Sequence, residues 1–173
     1  PTQAYGLSKL INEVTAESFG RRNRMKVTCI RPTYIMFPEL VPGIAARVGS
    51  PGKVPPATHP NPAVAAALRE PLSPLRCYVE PGDLARLFRL ALEHDGASYE
   101  LFYGSASDSF EPRPTLSYLE RMYGGLPEVR KPWVYDRNPH AAAIDYSHAL
   151  DVLGWEPTSD WVRMSGLGRQ PAS

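Results

Sequence analysis

The sequence predicts an α/β fold. Three observations carry that expectation. An amphipathic helical stretch over residues 4–19 is followed at once by a short apolar run, Met25-Lys26-Val27-Thr28-Cys29-Ile30-Arg31. The same order returns further on, where a helical stripe from Asp83 precedes the run Tyr99-Glu100-Leu101-Phe102-Tyr103. Helical and strand periodicities that alternate along one chain are the mark of helices layered on a largely parallel sheet. At 173 residues the chain has the size of one domain, and residues 1–173 are read as a single unit.

In the first helix Leu7, Leu10, Ile11 and Val14 recur at helical spacing and define an apolar stripe expected to face a core. Gly20 is the expected stop. The following run is rich in β-branched residues and too short for a helix, and Pro32 closes it. Residues 38–81 differ in character, because ten of the nineteen prolines fall there. We expect no long regular element in that segment, only a short helix from Pro62 to Arg69 and a short strand at Arg76-Cys77-Tyr78-Val79. Irregular segments of this length inside a domain are usually functional loops or mobile ones.

Asp83 is the expected cap of a helix striped by Leu84, Leu87, Phe88, Ala91 and Leu92. After the strand at Tyr99–Tyr103, Thr115 opens a short helix. A Pro/Gly-rich connection then leads to Ile144 and Asp145. A helix from Ser147 to Leu153 ends at Gly154, Asp160-Trp161 opens a last short helix, and the tail from Gly166 is expected to fray.

Composition excludes several function classes. A net charge of +1 gives no broad attraction to nucleic acid or anionic membrane. No apolar run reaches the roughly 18 residues of a membrane span. Two cysteines form no disulfide framework, and the simplest compartment is the cytoplasm. The four histidines show no metal-ligand spacing with one another or with the cysteines, so no metal is expected.

The residues that can carry chemistry are Tyr5 and Lys9. Four apart on a helix, they lie one turn apart on one face. An ammonium beside a phenol favours the phenolate, which suits the phenol to proton transfer at a substrate oxygen. An ammonium can also donate hydrogen bonds to ribose hydroxyls. Spacing alone makes this a weak signal, since helices place Tyr and Lys four apart by chance.

Its surroundings strengthen it. Tyr5-Gly6-Leu7-Ser8-Lys9-Leu10 with Glu13 resembles the active-site helix of the extended short-chain dehydrogenases/reductases, the NAD-dependent epimerase/dehydratase family. Ile30-Arg31-Pro32-Thr33-Tyr34-Ile35 is similar to that family's Arg-Pro segment beside the nicotinamide. Tyr78-Val79 with Asp83-Leu84-Ala85 resembles its Y-V-x-x-x-D-x-A segment, and Leu153-Gly154-Trp155-Glu156-Pro157 its late L-G-W-x-P motif. The four motifs stand in family order and span nearly the whole chain.

The resemblance implies the C-terminal part of an extended Rossmann-type, doubly wound fold plus a small substrate-binding lobe. It implies NAD or NADP as cofactor and a sugar or nucleotide-sugar as substrate. Tyr5 would be the general acid/base, and Lys9 would hold the nicotinamide ribose. Pro32, Thr33, Tyr34 and Ile35 would pass the nicotinamide carboxamide, partly through backbone groups. The proline-rich residues 38–81 would lie on the substrate side with Arg76 and Tyr78. Arg76 would pair with a substrate phosphate, or would be a surface arginine with a packed stem. Asp83 and Trp155 read as structural residues. A homodimer packed through the helix of Tyr5 is the family's analogy. No glycine-rich phosphate loop precedes Tyr5, so we expect a longer parent chain. The alternative is a catalytically silent fragment or interaction module.

Overall fold

A computed structural model describes residues 4–49 and 59–169, and the stretch 50–58 of the proline-rich segment lies outside them. The architecture is mixed α/β with two small parallel sheets.

Helix α1 (Ala4–Arg21) runs two residues past the expected end at residue 19, and its apolar stripe of Leu7, Leu10, Ile11 and Val14 is exposed and does not face a core. Gly20 does not stop it. It is buried, and a Cβ built there would stand 2.6 Å from the Ser98 carbonyl oxygen and 3.0 Å from the Tyr99 Cβ. The missing side chain therefore lets α1 approach the sheet.

Strand β1 (Val27–Pro32) pairs in parallel with the last strand, β4 (Tyr99–Gly104), in the register Val27↔Tyr99 to Pro32↔Gly104. A parallel pair requires a long crossover. Here the crossover contains a second parallel pair, β2 (Tyr34–Ile35) with β3 (Tyr78–Val79). The chain changes partner at Thr33, whose N–H donates to the Gly104 carbonyl at 2.9 Å, and Tyr34 then donates to Cys77.

Alternation along the strands separates two faces. Ile30 and Phe102 pack with Leu84, Leu87 and Ala91 of α4 (Pro81–Glu93) and with Ala149 and Trp155 from the C-terminal region. Arg31 and Tyr103 point instead toward α1. A second core gathers Met36, Ile44, Val48, Tyr78, Phe110 and Trp161.

Several expectations change here. The proline-rich segment does hold a regular element, α2 (Val41–Gly49), with Ile44, Ala45 and Val48 buried. Pro42 lies in its first turn, where the absent N–H has no helical acceptor to satisfy. The short helix α3 (Pro62–Ala67) forms as expected, with the Asn61 side chain accepting from the Ala63 N–H. Asp83 does not cap α4. Pro81 sets the first turn and Glu80 accepts from the Asp83 N–H at 3.0 Å, which leaves the Asp83 carboxylate free to bond elsewhere.

Helix α5 (Thr115–Tyr123) ends on Gly124 at φ 74°, and α6 (Pro132–Arg137) occupies the stretch expected to be an irregular connection. Helix α7 (Ser147–Leu153) ends at Gly154 with φ 64°, and Asp160 caps α8 (Trp161–Ser165), both as the sequence predicts. The tail is not frayed through Arg169, whose guanidinium donates to the Ser109 and Glu111 carbonyls and to the Asp108 carboxylate. Among the described residues no helix is long and apolar enough to cross a membrane.

Candidate functional site

Tyr5 and Lys9 stand in the first two turns of α1. Tyr5 is 73% exposed, so its hydroxyl faces outward from the packed molecule. The Lys9 ammonium lies over the Tyr5 ring, 5.1 Å from its centroid. The Ser8 hydroxyl between them donates to the Tyr5 carbonyl at 2.7 Å and thus belongs to the helix, not to a ligand.

Pro32–Ile35 lies at the carboxyl end of β1, where the chain exchanges β4 for β3 as its neighbour. Ligands of open parallel α/β sheets bind outside the carboxyl ends of strands. The backbone there is largely committed. Pro32 has no N–H, Thr33 donates to Gly104, and Tyr34 donates to Cys77 at 3.4 Å. Met36 donates to Val79, so strand alternation turns the Ile35 N–H to the opposite edge. Ile35 is thus the one residue of the four with a backbone donor to offer a carboxamide. The Thr33 hydroxyl lies 3.1 Å from the Gly104 carbonyl, and the Tyr34 ring packs edge-on to Phe110. Burial pushes the Tyr34 phenol above its ordinary range, and the Arg47 charge only partly offsets this.

The two substrate-side residues diverge. Tyr78 is fully buried, and its hydroxyl donates to the Asp108 carboxylate at 2.8 Å. Burial, with Asp108 beside it, pushes its phenol far up. Tyr78 is therefore a core residue with no surface to present to a substrate. The alternation of β3 decides this, because it aims the ring into the cluster of Phe110 and Trp161.

Arg76 sits at φ 54°, a left-handed conformation disfavoured for any side chain with a Cβ. Its guanidinium lies over both the Phe110 and Tyr118 rings, at 5.7 and 5.5 Å from their centroids. The buried Glu111 carboxylate stands 3.6 Å from its Nε and accepts from Arg113 Nε at 2.7 Å. Two guanidinium groups thus share one carboxylate, leaving a local excess of positive charge. The Nε and Nη1 of Arg76 are buried without a hydrogen-bond partner. Sequence reading missed Glu111 and Arg113, whose association with Arg76 is purely tertiary.

A cleft of about 1040 Å³ lies elsewhere. Leu116, Leu119, Trp133 and Ile144 line it with the Lys131–Asp145 ion pair, and none of the expected site residues does. No family model, curated protein or solved structure matches the chain.

Proposed function

We propose that this chain is the C-terminal half of an extended short-chain dehydrogenase/reductase, an NAD(P)-dependent oxidoreductase or epimerase acting on a sugar or nucleotide-sugar. One observation supports this reading above the others. The Tyr5 hydroxyl and the Lys9 ammonium are both exposed, one turn apart, on a helix that packs against a parallel strand leading into Pro32–Ile35.

The residues fit a nicotinamide ribose and carboxamide on their donor chemistry. Lys9 would donate to ribose hydroxyls, and the Ile35 N–H would donate to the carboxamide oxygen. The nicotinamide, when bound, supplies hydride transfer at a substrate carbon. Tyr5 would hold and move the proton at the neighbouring substrate oxygen. Arg76 and Arg113, with only Glu111 to balance them, suit the diphosphate of a nucleotide-sugar. A doubly wound sheet, with β1 and β4 as its late strands, belongs to the same proposal.

Binding tests the reading. NADH or NADPH should quench or shift fluorescence on addition to the full-length gene product. Failure of both to bind at millimolar concentration removes the oxidoreductase assignment.

The apolar residues that α1 leaves exposed favour a second reading, an interaction module whose helix face is covered by another chain. Leu7, Leu10, Ile11 and Val14 are 43–58% exposed. Cofactor binding by the full-length product separates the two readings.

A further inference from the structure

Burial does not hold the first half of α1 in place. Leu7, Leu10, Ile11 and Val14 all keep more than two fifths of their surface exposed, from 43% at Leu10 to 58% at Val14. At the far end, Gly20 rests against Ser98 and Tyr99. One point of close contact leaves a rod free to swing, and Tyr5 lies at the end that would swing furthest.

A second point exists. Arg31 Nε donates to one oxygen of the Glu13 carboxylate at 2.7 Å, and Arg31 Nη2 donates to the other. The remaining nitrogen, Nη1, donates to the Tyr103 hydroxyl, and the guanidinium also lies over the Tyr103 ring, 5.4 Å from its centroid. Glu13 belongs to α1, Arg31 to β1 and Tyr103 to β4, so three elements meet at one side chain. Arg31 and Tyr103 are partners in the strand register, one step before Pro32↔Gly104. Hydrogen bonding to Arg31 holds the Glu13 carboxyl below its ordinary range, so it remains ionised.

We propose that Glu13, Arg31 and Tyr103 form a positioning clamp that sets where Tyr5 and Lys9 stand relative to Pro32–Ile35. Tyr5, Lys9 and Glu13 follow one another at intervals of four and share one stripe of the helix. Glu13 lies about 12 Å along the axis from Tyr5, at 1.5 Å per residue. Fixing its azimuth and height therefore fixes theirs. Arg31 stands immediately before Pro32, so the same guanidinium is tied to the strand end that bears the other half of the site. Lysine would not substitute, because a single ammonium cannot grip both carboxylate oxygens and still reach a third partner in a fixed plane. The clamp's geometry stands by itself, and its consequence for the nicotinamide site rests on the function proposed above.

Three variants of the full chain test it: Glu13→Gln, Arg31→Lys, and the charge-swapped double variant Glu13→Arg with Arg31→Glu. Hydrogen exchange of peptides spanning residues 7–12 reads the position of α1, and NADH titration reads the site. Each single variant should speed exchange by about tenfold or more through easier local opening. Each should also weaken NADH binding by about tenfold with little change in melting temperature, the signature of lost positioning rather than lost fold. The swapped pair should recover both readouts to within about threefold, since it restores the ion pair at the same two positions. Unchanged exchange in the single variants overturns the clamp. Faster exchange with unchanged NADH affinity overturns its role at the site. A wild-type chain that does not bind NADH removes the proposed function, while the exchange comparison still decides the clamp.

Discussion

Asp83 and Thr158 lie 75 positions apart and are joined twice: the Asp83 carboxylate accepts the Thr158 N–H at 3.0 Å and its hydroxyl at 2.7 Å. The Ser159 N–H adds a third bond at 3.0 Å and Arg86 a fourth at 2.9 Å. The Trp155 indole N–H donates to the Asp83 carbonyl at 2.9 Å. One buried aspartate in the first turn of α4 therefore fixes the whole loop after α7.

Replacing it should be among the most damaging single changes in the chain. Asp83→Ala leaves several donors buried beside a cavity, and should lower unfolding free energy by roughly 3 kcal/mol. Urea denaturation followed by circular dichroism measures this. A loss below about 0.5 kcal/mol, the range of an ordinary surface change, would contradict the assignment.

The same residue predicts an acid dependence. Burial by itself would raise the Asp83 carboxyl, but the hydrogen bonds from Thr158 and Ser159 outweigh it and hold the group below its ordinary range. A carboxyl with a depressed native pKa stabilises the fold above its unfolded pKa of about 3.9. That contribution fades as pH falls through the lower native value. Stability measured from pH 5 downward should fall in wild type, and the fall should be shallower in Asp83→Asn.

Gly20→Ala opposes two effects. Helix propensity favours alanine by up to about 1 kcal/mol. Against it stands the 2.6 Å approach of the new Cβ to the Ser98 carbonyl, a backbone atom that cannot rotate away. Overpacking against backbone typically costs 1–3 kcal/mol, so we expect a net loss of about 1 kcal/mol. Stabilisation on thermal melting would show that α1 is free to lift off the sheet.

Arg76→Gly and Arg76→Ala remove the same guanidinium, and on the proposed function both should weaken binding of a nucleoside diphosphate sugar. They differ only in backbone freedom at φ 54°. The glycine variant should be more stable than the alanine variant by about 1 kcal/mol, the scale of the left-handed penalty. Equal stabilities would mean that the backbone relaxes when the arginine leaves.

Tyr5→Phe should separate function from fold. The side chain is 73% exposed, so the melting temperature should stay within about 1 °C of wild type, as for a surface change. On the proposed function, turnover by the full-length product should fall roughly 10²–10⁴-fold, the contribution of a positioned general acid/base. Retained turnover would remove Tyr5 from the mechanism.

Local rules were enough wherever the deciding interaction is local. Gly154 ends α7 because a left-handed turn suits glycine, and Asp160 caps α8 because its carboxylate reaches the Arg163 N–H at 3.0 Å. Both are legible within four residues of sequence. The pairing of Tyr5 with Lys9 is legible in the same way, since helical spacing alone brings them together.

Tertiary structure decided the rest. Proline density argues against α2, yet Ile44 and Val48 gain a buried seat near Phe110 and Trp161, residues far along the chain. Asp83 satisfies every local criterion for a cap, but Glu80 takes that role and the carboxylate turns to a loop 75 positions away. Tyr78 lies in β3 with its ring in the core, whereas Arg76 precedes the strand at φ 54° with its guanidinium over Phe110 and Tyr118, and no local rule foretells either seat. The alternation of helix and strand and the stripe that carries Tyr5 and Lys9 follow from backbone periodicity, so both are legible in the residue order alone. Which residues meet across the fold, Glu13 with Arg31 and Asp83 with Thr158 among them, was decided by packing, since hydrogen-bond partners distant in sequence are chosen only when the elements that carry them are brought together.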